Sequence, residues 1–240
     1  MFIPFHVLAL VPSRFPRSPR LRRFRNACVR AGLLPELVGL LSGAASGAVP
    51  ALAALEAIAT DDPNTDLDNG HALATCEAGA VPPTVKLLSS AEEQVQVGAA
   101  ALAAVLAENP QCQTMLLKHG VVPPLVALGA YGNDGAKLRS VAALDLLALN
   151  NPQALEAIAA AGGLKLLKGL QKFGGDMLKG ATESLFKGVS EPGSIQVAVD
   201  TASHARLAHE TRLKHSKVWR SVAGSGVQRA QAPQRDPDAE

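Results

Sequence analysis

Apolar and polar positions alternate along the chain in blocks that repeat. A short apolar run, Thr84-Val85-Lys86-Leu87-Leu88, gives way to a polar turn, Ser89-Ser90-Ala91-Glu92-Glu93. A long Ala-rich run then extends from Val95 to Ala107, and Val49–Ala59 and Leu138–Leu149 parallel it. The acids fall at the start of the long run, where the positive end of a helix dipole favours them. Ahead of each block stands a Gly-containing phrase: Ala31-Gly32-Leu33-Leu34-Pro35, Ala78-Gly79-Ala80-Val81-Pro82, His119-Gly120-Val121-Val122-Pro123 and, without the Pro, Ala161-Gly162-Gly163-Leu164. The glycines at 32, 79, 120 and 162 stand 47, 41 and 42 residues apart. That period belongs to helical repeats of about 40–47 residues.

Each phrase has a physical reading. The Gly ends one helix because it can adopt the left-handed conformation. The Pro opens the next, where its missing N–H costs nothing. Asn109-Pro110 and Asn151-Pro152 start a further short helix in the same way, over 111–118 and 153–160. The pattern predicts three helices per unit: two short, one long and rich in Ala. Gly129, Gly132 and Gly135 read as a turn between helices.

The phrase Ala-Gly-x-x-Pro-x-Leu-Val, the Ala/Leu third helix and the Asn that opens the next short helix together resemble the armadillo repeat family, over about residues 24–189. The best units are Asn69–Glu108 and Asn109–Asn150. The resemblance implies an all-α, right-handed superhelical solenoid of short helices in three to four degenerate repeats. It implies a basic N-terminal extension over 1–25, disordered or serving as a cap or targeting segment, and a repeat domain over 26–189. A basic segment follows over 190–222, helical or loose, and then a disordered tail over 223–240. Because one repeat cannot bury its own face, several must stack and their ends need caps.

The resemblance also implies function. Armadillo proteins are non-catalytic interaction platforms whose third helices line a concave groove. Here that groove would comprise Ala53, Ala57, Ala101, Val105, Glu108, Leu144, Ala148 and Asn151. The family's Asn ladder falls on Ala57, Val105 and Ala148, and its Trp positions on Ala53, Ala101 and Leu144, so neither ladder is present. Such a groove favours an apolar or helical protein partner over an extended backbone. Two alternatives stay open: a structural fragment or subunit of a larger armadillo array or a self-associating protein, and a membrane-associated adaptor.

Charge redistributes the partner question. The net +2 hides a head of seven Arg and no acid over 1–35, a body of −6 over 36–189 and a tail of +1. The acidic body suits a basic partner peptide, with Asp61, Asp62, Asp66 and Asp68 as an acidic docking loop. The Arg-rich head resembles an organelle address in composition, but Pro12, Pro16 and Pro19 oppose the helix such segments form. Otherwise the chain reads as intracellular and cytoplasmic. Cys28, Cys76 and Cys112 have neither disulfide nor zinc spacing, and read as buried small hydrophobes. Aromatics are 3 %, too few for stacking on nucleic acid. Leu37–Leu55 carries no charge but is better read as two short helices around a Gly/Ser turn. His209-Glu210-Thr211-Arg212-Leu213 lacks the second His of a zinc motif, and no phosphate loop or nucleophile elbow occurs. No enzyme, cofactor, metal or small-molecule substrate is expected.

Overall fold

The computed structural model describes residues 19–43, 45–60, 70–149 and 151–173, together with 182, 185, 186, 189 and 190. Eleven helices run through them: α1 Pro19–Arg30, α2 Leu33–Leu41, α3 Ala45–Ala59, α4 His71–Glu77, α5 Val81–Leu87, α6 Glu93–Leu106, α7 Pro110–Lys118, α8 Val122–Tyr131, α9 Asp134–Ala148, α10 Pro152–Ala160 and α11 Gly163–Phe173. No strand occurs among the described residues. The order is short, short, long, repeated three times, then two short helices. Residues 185–186 and 189–190 are helical beyond these, and Leu185 and Val189 join the core.

The repeated phrases build the corners. Gly32, Gly79, Gly120 and Gly162 all have φ between 69° and 88°, the left-handed conformation that ends a helix and turns the chain. Prolines then occupy the first turns of α5 and α8. At the next corner the Asn109 side chain accepts from the amides of Gln111 (2.9 Å) and Cys112 (3.3 Å), and Asn151 accepts from Ala154 (3.2 Å). Both satisfy donors that the first turn of a helix leaves open.

Packing follows from the small faces. Within each repeat the long helix lies on the second short one, α3 on α2, α6 on α5 and α9 on α8. Between repeats α3 packs on α6 and α6 on α9. One apolar cluster runs unbroken from Cys28 to Val189, with Leu52, Leu55, Leu102, Leu106, Leu144 and Leu147 fully buried along the three long helices. A solenoid core of this kind is continuous although each repeat touches mainly its neighbours.

The structure departs from the expected pattern in three places. Gly129, Gly132 and Gly135 do not share a turn. Gly129 lies inside α8, Gly132 ends that helix, and Gly135 is in the first turn of α9. The reason is Asn133, whose side chain accepts from the Ala136 amide at 2.8 Å and starts α9 four residues earlier than expected. Gly129 serves packing, since a Cβ there would stand 3.0 Å from Leu166 of α11. Second, α3 extends back to Ala45, with Pro50 inside it. Third, α1 starts within the Arg-rich head. Of the extension over 1–25, residues 19–25 are helical and continue into a docked helix. Arg25 donates to the Thr60 carbonyl, and Asn26 Oδ1 lies 2.6 Å from Nε2 of the buried His71 on α4. α2 ends at Leu41 and α3 begins at Ala45, which divides Leu37–Leu55 as expected. No helix among the described residues is long and apolar enough to cross a membrane.

Candidate functional site

The long helices α3, α6 and α9 lie side by side. α6 packs against α3 on one flank, α9 on the other, and α4, α5 and α7 behind. A stripe through Val97, Ala101 and Ala104, positions that helical geometry aligns, runs along it, and Glu108 follows two residues past its end. Val97, Ala104 and Glu108 are partly exposed, and Ala101 is buried.

The residues expected to line a groove separate on this scaffold. Ala53 is exposed and Ala57 half-buried on α3. Leu144 is fully buried, and Val105 and Ala148 are buried. They present core to their neighbours, with little surface left for a ligand. Asn151 caps α10 and, through Nδ2, approaches Gln113 Oε1 at 3.4 Å. Asp61, Asp62, Asp66 and Asp68 lie outside the described residues, as does the segment from 191 onward.

One charged pair marks the third-helix face. Glu56 of α3 and Arg139 of α9 approach to 3.6 Å, their side chains 34 % and 22 % exposed. The pair thus joins two helices that each pack on α6. Its signal in the sequence was a lone Glu and a lone Arg, each set in an otherwise Ala- and Leu-rich helix. At the head of α6, Asn133 donates to Glu93 Oε2 at 2.9 Å, adding a second polar link between α6 and α9.

Burial pushes the Glu56 carboxyl above the ordinary carboxylate value, and the nearby Arg139 charge pulls it back only in part. A raised folded-state value means that this group's stabilisation is fully present below the unfolded value, about 4.3. It is lost as pH rises through the folded value. Relative to Glu56→Gln, wild type is therefore expected to lose stability as pH rises from the unfolded value through the raised folded value. Urea unfolding of both proteins across that range checks this, and parallel curves would refute it.

Other chemistry is sparse. No group of His, Cys, Asp and Glu among the described residues could hold a metal. All three cysteines are buried, and burial raises the Cys28 thiol above its usual value, which suppresses thiolate reactivity. A shallow apolar cleft of about 430 Å³ opens between the α7–α8 corner and α10, lined by Leu117, Val122, Pro123, Gln153, Ala157 and Ala160.

Residues 68–106 match the Armadillo/beta-catenin-like repeat model. No curated protein sequence matches. Among solved structures, an engineered protein is 27 % identical with a TM-score of 0.64, covering 70 % of this chain and 67 % of its own. A designed armadillo repeat protein in complex with the peptide (KR)4 is 20 % identical with a TM-score of 0.62, covering 88 % and 98 %. The armadillo repeats only protein from Plasmodium falciparum is 19 % identical with a TM-score of 0.64, covering 77 % of each. The three-helix units, the left-handed glycines at their corners and the matched repeat agree: this chain carries an armadillo repeat fold, an architecture that commonly mediates protein and peptide binding and is typically non-catalytic.

Proposed function

We propose that the chain is a non-catalytic binding module that takes a basic peptide segment on the face formed by α3, α6 and α9. The observation that carries this is Glu56, an acid on that face whose present partner is a guanidinium, Arg139. The site already pairs with the chemical group that a basic peptide would bring. The body's net charge of −6 adds long-range attraction for such a peptide. The lack of an Asn ladder leaves few side chains to grip a peptide backbone, so side-chain charge carries more of the recognition.

Fluorescence anisotropy with a labelled (KR)4 peptide tests the reading, against a Glu-rich peptide of equal length. The expected result is binding of the basic peptide alone, weakening as salt rises. Equal binding of both peptides, or of neither, would reject it.

A further inference from the structure

We propose that Arg139 is a built-in occupant of the Glu56 subsite, a latch that a partner's basic side chain must displace to bind. This rests on the basic-peptide reading above and adds a mechanism to it.

Repeat architectures couple mainly nearest neighbours. Glu56 and Arg139 belong to the first and third long helices, both packed on α6, so their contact reaches past the nearest neighbour and spans the middle repeat. An Arg reaches that far because its long stem can lie along apolar surface while the guanidinium extends beyond it. The α6 stripe is small there, with Val97, Ala101 and Ala104, and leaves room for such a crossing.

The pair adds little to the fold. It is long for a charge-assisted hydrogen bond, which usually closes to about 2.7–2.9 Å. Burial of Glu56 outweighs the help that Arg139 gives its charge. An arrangement that the core does not need, on the face that the basic-peptide reading assigns to the ligand, behaves as a replaceable occupant. Exchange is asymmetric. Glu56 is the more exposed of the two, 34 % against 22 %, so an incoming cation can reach its carboxyl while Arg139 still covers it, and Arg139 can then swing its long stem into water. The incoming group is therefore a guanidinium or an ammonium.

The test is calorimetric titration of the full chain with (KR)4, comparing wild type with Arg139→Gln, Lys137→Gln and Glu56→Gln. Lys137 lies on the same helix, within 4.0 Å of Asp134, and its replacement removes the same charge without touching the latch. Arg139→Gln is expected to tighten binding about two- to tenfold beyond any effect of Lys137→Gln, and Glu56→Gln to weaken it. If both cation removals tighten binding equally, or Arg139→Gln leaves it unchanged or weaker, the latch is wrong while peptide binding stands. If wild type and every variant fail to bind, both readings fall. Should Arg139→Gln not fold, Arg139→Lys carries the comparison, since it keeps the charge and loses the planar fork. Tighter binding would then support the latch, and unchanged binding would overturn it.

Discussion

Leu102→Ala is expected to cost about 2–5 kcal/mol of stability. Leu102 is fully buried on α6, the helix that packs against α3, α4, α5, α7 and α9. Truncation removes the transfer free energy of the lost carbons and leaves a cavity that close-packed neighbours fill only in part. The neighbours here make collapse difficult. Ala99, Ala100, Ala103 and Ala107 of the same segment are buried with it, and Ala side chains have no rotamers with which to fill space. The cost should therefore fall in the upper part of that range. Position matters as well, because α6 belongs to the middle repeat and both flanks depend on it. Urea unfolding should show a lower midpoint and a lower slope or a second transition, the mark of flanks that no longer unfold together. Ala53→Ser, at an exposed position of α3, should leave the curve within about 0.5 kcal/mol of wild type. A Leu102→Ala loss no larger than that control would contradict the central role of α6.

The corners were legible because few residues can make them. Gly32, Gly79, Gly120 and Gly162 stand at a regular period, and a left-handed residue ending a helix leaves a recognisable mark. Asn109 and Asn151 were equally visible, since Asn before Pro both caps and opens a helix. The faces of the long helices were not legible. Val95–Ala107 and Leu138–Leu149 are apolar almost all round, so no polar stripe marks their phase. Leu144 and Val105 consequently look like groove residues in an alignment and prove to be core, while Ala104 is the partly exposed position. The start of α9 was missed for a different reason: three glycines suggested a turn, and the cap that overrode them was one Asn among them. The Glu56–Arg139 pair joins helices of different repeats, and no local pattern reports such a contact.

Gln113→Ala is expected to cost about 2–4 kcal/mol, although it removes no hydrophobic side chain. Gln113 lies on α7 with 3 % exposure. Its Nε2 donates to the Ala107 carbonyl and to the Leu146 carbonyl, each at 2.9 Å. Both carbonyls lie at the C-terminal ends of long helices, α6 and α9, where the last turn has no amide of its own helix to bond. One amide group thus satisfies the ends of two successive repeats, and Asn151 Nδ2 reaches its Oε1 at 3.4 Å. Ala would leave those carbonyls inside the structure without their donor, and each such loss costs about 1–3 kcal/mol. Gln113→Leu separates this from packing, because it keeps most of the volume and removes only the polar contacts. Both variants should be destabilised, with Leu recovering only the cavity part of the loss. A double-mutant cycle with Asn151→Ala should show coupling of about 0.5 kcal/mol or more, as expected for residues in one network. Native-state hydrogen exchange should place the added opening at the ends of α6 and α9. If Gln113→Leu is as stable as wild type, the repeats are joined by apolar contact alone and the amide bridge is incidental.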